Sequence, residues 1–204
     1  MIKCIVFDWY GVCAKKPWRV TFSDDLGKEL NIDSEIVMES FRKFAHDYEK
    51  DIIDRYKFIE SVLKDLNYNG DFSKFNYLIE AQPEIDWWVI DLIKILKQKF
   101  KIILFSDNYV DVVKKISSDL KDLKIYFDDC LFSCDLKMRK TEIGMYKLLV
   151  KKSNVNPKDM IFIDDQEKNF KFAKDLGIKC ILYKDYEHLV NELNNNGIDI
   201  KPQA

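Results

Sequence analysis

Four short apolar runs punctuate the chain, at residues 2–7, 102–105, 160–163 and 178–182. None alternates cleanly between apolar and polar positions. Each therefore reads as a strand buried on both faces, as in a parallel sheet covered by helices. Between the runs, apolar residues recur at helical spacing. Trp88, Leu92, Ile95 and Leu96 form one stripe, and Val112, Val113, Ile116 and Leu120 another. Met145, Leu148 and Leu149 follow, then Phe170, Ala173 and Leu176, with Gly177 placed to cap the helix end. Strand and helix alternate from about residue 87 onward. That order predicts an α/β fold with a Rossmann-like parallel sheet and crossover helices.

The region after the first run differs. Ile36, Val37, Phe41, Phe44, Ala45 and Tyr48 share one helical face, and Asp54 caps a second helix carrying Phe58, Ile59, Val62, Leu63 and Leu66. Tyr68-Asn69-Gly70-Asp71 reads as a turn, and Ala81-Gln82-Pro83-Glu84 as a linker back to the sheet. No convincing strand lies among these segments. The pattern predicts a helical unit inserted after the first strand, dividing the chain into a core (residues 1–17 and 85–204) and an inserted unit (residues 18–84).

Composition narrows the function classes. With 204 residues, 47% of them hydrophobic, the chain can build one good core and a small accessory unit. Its 33% charged residues balance to a net −2, so there is no general attraction to nucleic acid or anionic membranes. The longest apolar runs, such as residues 87–90, are far too short to span a bilayer, and no signal-peptide pattern opens the chain. Cys4, Cys13, Cys130, Cys134 and Cys180 are odd in number and irregular in spacing, which predicts reduced, structural thiols and a cytoplasmic protein.

The chemistry gathers where the runs end. The first is followed by Asp8, the second by Ser106-Asp107-Asn108, and the third by Asp164-Asp165. In an open parallel sheet, ligands bind beyond the carboxyl ends of the strands. One acid after a strand is commonly a turn or cap; polar groups after three strands predict a site. Acids brought together repel and need a cation, and magnesium takes a few carboxylates while leaving room for a phosphate oxygen. Lys140 could add a balancing charge. His46 and His188 fall in helical patterns away from the strand ends, which argues against a histidine triad.

These segments resemble the motifs of the haloacid dehalogenase superfamily, in the family's order. Ile5-Val6-Phe7-Asp8-Trp9-Tyr10-Gly11-Val12 is similar to its first motif and Leu104-Phe105-Ser106-Asp107-Asn108 to its second. Lys140 sits where the third places a lysine, and Ile161-Phe162-Ile163-Asp164-Asp165 with Asn169 resembles the fourth. The inserted helices match the family's cap, and the stretch from Asp128 through Met138-Arg139-Lys140 to Tyr146 is similar to bacterial α-glucose-1-phosphatases. The resemblance implies a magnesium-dependent phosphatase of small phosphorylated metabolites. Asp8 would be the nucleophile, and Ser106 with the Asp107 N–H would bind the transferring group. Lys140 would balance charge, and Asp8, Asp164, Asp165 and the Tyr10 carbonyl would hold Mg2+. Asn169 would support the acidic loop, while Asn108 and Arg19 are further candidates for substrate binding.

Three positions depart from the phosphatase pattern. Tyr10 stands where these phosphatases place a second aspartate that protonates the leaving oxygen and then activates water; a phenol, with a pKa of about 10, hardly accepts a proton at neutral pH. Asp107 replaces an asparagine or small residue, and Thr141 a proline. Tyrosine at position 10 is also similar to metal-independent 2-haloacid dehalogenases, whose halide needs no proton to leave. The Asp164-Asp165 pair argues against that alternative, because two acids without a metal would repel a carboxylate substrate. A catalytically weak relative that binds a phosphorylated ligand or a partner is the third reading.

Overall fold

The computed structural model describes residues 1–15, 18–80 and 84–200. Five parallel strands form one sheet in the order β3-β2-β1-β4-β5: β1 (Cys4–Phe7), β2 (Lys101–Ser106), β3 (Asp129–Phe132), β4 (Met160–Asp164) and β5 (Lys179–Leu182). Helices α1 (Trp18–Leu30), α2 (Ser34–Glu49), α3 (Arg55–Asp65) and α4 (Tyr77–Glu80) precede α5 (Trp87–Leu96) and β2. The later crossovers carry α6 (Val110–Leu120), α7 (Ser133–Leu136), α8 (Ile143–Ser153) and α9 (Phe170–Asp175), and α10 (Tyr186–Asn195) closes the described chain. The linker read at residues 81–83 and the boundary at residue 17 lie outside the described residues.

The alternation of side chains along each strand splits the core into two layers. Ile5, Phe7, Ile102, Leu104, Ile161 and Ile163 face one side, where α5, α6 and α10 pack with Ile93, Ile116 and Leu193. Cys4, Val6, Ile103, Phe105, Met160 and Phe162 face the other, covered by Tyr146 and Leu149 of α8 and by Ala173 of α9. Both faces are thus dry, which is why the strand sequences read as continuous apolar runs. Gly177 has φ of 87° just past α9, the left-handed conformation expected of a helix-terminating glycine.

Two expectations need correction. β3 was absent from the runs because it is a four-residue edge strand, half-buried at Asp129 and Cys130. On α5 the packed residues are Val89, Ile90, Leu92, Ile93 and Leu96, while Trp87, Trp88 and Ile95 are exposed. The tryptophans open a core helix without entering the core.

The helices between β1 and α5 pack around aromatic rings. Trp18 meets Phe22 and Phe41 edge-on, with ring centres 5.3 and 5.4 Å apart. Val37, Phe41, Ala45, Tyr48, Phe58 and Val62 are buried, whereas Ile36 is exposed. The same cluster reaches Tyr109, in the connection after β2: its ring lies 4.9 Å from Trp18 and stacks 4.3 Å from Tyr48. Polar ties reinforce this contact. The Tyr48 hydroxyl donates to Asp111 at 3.0 Å, and Lys50 pairs with Glu142 at 2.6 Å. Among the described residues no helix is long and apolar enough to cross a membrane.

Candidate active site

The sheet order reverses at β1, since β2 and β3 lie on one side of it and β4 and β5 on the other. Such a switch point opens a crevice beyond the strand ends. Asp8 follows β1, Ser106 ends β2 and Asp164 ends β4, so the three meet there. Lys140, just before α8, completes the group.

Asp8 is held through one oxygen. Its Oδ1 accepts hydrogen bonds from the Trp9 N–H and the Ser106 hydroxyl, both at 2.7 Å, and pairs with the Lys140 ammonium at 2.8 Å. Oδ2 meets no donor among the described residues. Lys140 Nζ also lies 2.7 Å from Asp164 Oδ2. Asp164 accepts further bonds from Asn169 Nδ2 at 2.9 Å and the Gln166 N–H at 2.8 Å. Asp8, Lys140 and Asp164 are 5%, 3% and 0% exposed, so these charges have left bulk water and depend on one another.

The electrostatics follow from that burial. Desolvation pushes the Asp8 carboxyl up to about 7, against the pull of Lys140. Burial alone would weaken the hold of Lys140 on its proton, but Asp164, Asp8 and Asp107 outweigh it and keep the ammonium more basic than usual. Burial, then the Asp164 charge, raises Asp165 as well.

Carboxylate oxygens of Asp8, Asp164 and Asp165 all lie within 4.8 Å of one another. Among the described residues, three carboxylates against one ammonium leave a formal excess of two negative charges. Hard oxygen donors with that excess fit a divalent cation such as magnesium. Gly11 makes room for the set. Its φ is 76°, and a Cβ there would collide with the Asp165 carboxylate, so a side chain at this position would evict a candidate ligand.

Asp8 and Ser106 open onto a cavity of about 270 Å³, also lined by Tyr10, Arg19, Asp107, Lys140 and Asn169. Asn108 is not in its wall: it is fully buried behind Ser106 and donates to the Ser106 hydroxyl at 3.1 Å. The Asp107 carboxylate turns aside, accepting from the Lys140 backbone N–H at 3.0 Å and facing Arg139 Nε at 3.8 Å. Tyr10 is 8% exposed, and burial, with the Asp8 charge beside it, holds its phenol well above the ordinary value. His46, on α2, and His188, on α10, stand apart from this cavity.

The opposite wall comes from the inserted helices, through Trp18, Arg19, Phe41, Arg42, Ala45 and Glu49. Sequence reasoning gave Glu49 no role, although one signal was present. An acid in the last turn of a helix opposes the helix dipole. Glu49 ends α2, and its backbone carbonyl accepts from Ser133 Oγ at 2.8 Å. Its Oε1 accepts from the Tyr109 hydroxyl at 3.3 Å, and its Oε2 lies 2.5 Å from Arg139 Nε.

Comparison with known proteins gives the family of the chain. The family model for haloacid dehalogenase-like hydrolases matches residues 2–177. Among curated proteins, pig bifunctional epoxide hydrolase 2 is 26% identical over 117 residues, which is 55% of this chain and 21% of that protein. Flavin mononucleotide hydrolase 1 of Arabidopsis thaliana is 32% identical over 85 residues, 42% of this chain and 35% of its own. The chain thus matches about a fifth of the length of the epoxide hydrolases. Among solved structures, a HAD family enzyme of Bacteroides thetaiotaomicron in complex with magnesium and inorganic phosphate superposes with a TM-score of 0.73 at 23% identity, covering 93% of this chain and 99% of that one. L-2-haloacid dehalogenase of Xanthobacter autotrophicus superposes with a TM-score of 0.65 at 16% identity, covering 98% and 85%. With a family model spanning most of its length and the same parallel α/β architecture in its structural relatives, the chain belongs to the haloacid dehalogenase-like hydrolase family.

Proposed function

We propose that the protein is a magnesium-dependent phosphatase of small phosphorylated metabolites, acting through a phospho-aspartyl intermediate at Asp8. The observation that carries this reading is the cluster of three carboxylates, Asp8, Asp164 and Asp165, beside one lysine among the described residues. A divalent ion bound by those carboxylates and the Tyr10 carbonyl would supply charge neutralisation for an incoming phosphoryl group.

The chain's own groups have these parts. Asp8 lines the cavity, and its Oδ2, which meets no donor among the described residues, attacks phosphorus. Ser106 and the backbone N–H of Asp107 hold the transferring oxygens, and Lys140 draws Asp8 towards its ionised form while balancing the charge that develops. Asn169 fixes Asp164 from behind. Residues 18–84 act as a cap that closes the cavity and selects the substrate, over a core formed by residues 1–17 and 85–204. Arg19 contributes a cation to the substrate side of that cavity. The five free cysteines suit a reducing cytoplasm. The magnesium and phosphate complex of the Bacteroides enzyme is in keeping with this scheme.

Tyr10 favours one rival reading, a metal-independent 2-haloacid dehalogenase. Hydrolysis of an aryl phosphate by the purified protein decides between them. The phosphatase reading expects turnover with magnesium that disappears in EDTA and in Asp8→Asn. Halide release from 2-haloacids in EDTA, with the aryl phosphate untouched, replaces it with the dehalogenase. Neither turnover nor magnesium binding by the folded protein leaves a binding protein.

A further inference from the structure

If Asp8 is a phosphorylated nucleophile, the leaving alcohol needs a proton and the attacking water must lose one, yet Tyr10 occupies the place from which a second aspartate would serve both. Resting on that phosphatase reading, we propose that Glu49 of the inserted helices is the catalytic acid and base of the reaction. In an in-line displacement the leaving oxygen departs on the side of phosphorus opposite Asp8. Asp8 and Ser106 line the cavity from the strand ends, and Glu49 lines the same cavity from α2.

Elimination among the other proton-bearing groups of the cavity points to the same residue. The Tyr10 and Tyr109 phenols are held well above their ordinary values by burial and by nearby carboxylates. Lys140 is committed to Asp8 and Asp164, and Asp107 to the Lys140 backbone N–H. Lys168 is exposed, and an ammonium is a poor base near neutrality. Glu49 remains, with its side chain 13% exposed.

The surroundings of Glu49 suit the task. Its carbonyl bond to Ser133 and its carboxylate bond to Tyr109 fix it to the connections that follow β2 and β3. Arg139 lies close, but its Nε–H does not point at the carboxylate, so Glu49 Oε2 and Arg139 Nε both lack a hydrogen bond. The Glu49 carboxylate thus has a cation beside it but no aligned donor on Oε2. The charged and titratable groups facing it are Asp107 and Tyr109 from the connection after β2, Arg139 from the segment before α8, and Arg19 from α1. Burial, reinforced by Asp107 and opposed by Arg139, brings the carboxyl up to about 7, where it can both give and take a proton.

The steps balance. As Asp8 Oδ2 bonds to phosphorus and the ester P–O bond breaks, the leaving alcohol oxygen takes the Glu49 proton. Water then attacks phosphorus, Glu49 takes one of its protons, and the Asp8–phosphorus bond breaks. Inorganic phosphate leaves with Glu49 protonated again.

The test compares wild-type protein and Glu49→Gln, both with magnesium, on para-nitrophenyl phosphate and on glycerol 3-phosphate. A nitrophenolate leaves without a proton; an alkoxide does not. Glu49→Gln is expected to phosphorylate Asp8 from the aryl ester at the wild-type rate, seen as a full nitrophenolate burst, but to lose about 10²–10⁴-fold in phosphorylation from the alkyl ester. Wild-type phosphorylation from the alkyl ester should also decline as pH rises through about 7, and the variant should lack that decline. Equal loss on both esters would make Glu49 a structural tie and overturn the proposal, as would no loss on either. No phosphoenzyme from the aryl ester in the wild type would remove the phosphatase reading itself, and this inference with it.

Discussion

The carboxylate of Asp107 accepts a hydrogen bond from the backbone N–H of Lys140 at 3.0 Å. An acid beside a phosphate site looks harmful in sequence, but here its carboxylate is engaged by the Lys140 backbone. It fixes the segment that aims the Lys140 ammonium at Asp8 and Asp164. Asp107→Ala should therefore strand a half-buried N–H, at about 1–3 kcal/mol. It should also lower kcat on an aryl phosphate about 10-fold or more through misplacement of Lys140. Asp107→Asn retains the accepting oxygen and should lose less on both counts. Thermal melting and steady-state kinetics of the two variants check the order; equal damage would refute the hydrogen-bond account.

Lys140 is the single ammonium between two buried acids. Lys140→Met keeps the aliphatic bulk but leaves Asp8 and Asp164 uncompensated. Breaking a buried ion pair from one side costs about 3–5 kcal/mol, so the melting temperature should drop by many degrees. Loss of the charge opposite a developing phosphoryl should lower kcat by about 10²–10³-fold. Denaturant titration and turnover measured together test this, and a variant as stable as wild type would contradict the coupling seen here.

Much of this site was legible because it stands on strand ends. Asp8, Ser106 and Asp164 each close an apolar run, and a parallel sheet brings such ends to one edge. The other wall was not legible. Glu49 comes from a helix far from every motif, and tertiary contacts, the packing of Trp18 and Tyr48 against Tyr109 and the Ser133 and Tyr109 hydrogen bonds, carry it to the cavity. Asn108 shows the converse: beside Ser106 in sequence, it points behind it in space. The packed face of α5 was misread for another reason. That helix is apolar almost all round, so spacing alone could not separate Leu92 and Leu96, which pack, from Trp88 and Ile95, which do not.

Gly11 and Asp165 give a direct test of the metal site. A Cβ at position 11 meets the Asp165 carboxylate, and φ of 76° strains any other side chain. Wild-type protein should melt at higher temperature with millimolar magnesium, by an amount that grows with concentration. Asp165→Asn and Gly11→Ala should each lose most of that increment, the first by removing a ligand charge and the second by displacing it. Calorimetric titration with magnesium should show the same loss. An unchanged magnesium response in Asp165→Asn would place the ion elsewhere.

Glu49 also makes a prediction about stability. Its carboxyl lies at about 7 in the folded protein, above the ordinary carboxylate range it would have when unfolded. Between those two values the folded state binds more protons than the unfolded chain, so this group makes stability fall as pH rises. Its contribution is most favourable below the unfolded value and is lost once pH has passed about 7. Glu49→Gln cannot titrate, so its melting temperature should fall less than that of wild type between pH 5 and pH 8. Asp8 and Asp165 shift in the same direction and are present in both proteins, so the difference between the two melting curves reports Glu49 together with its effect on the neighbouring Asp107. Parallel curves across that range would mean that Arg139 holds Glu49 ionised throughout, and would remove the carboxyl's capacity to carry a proton near neutrality.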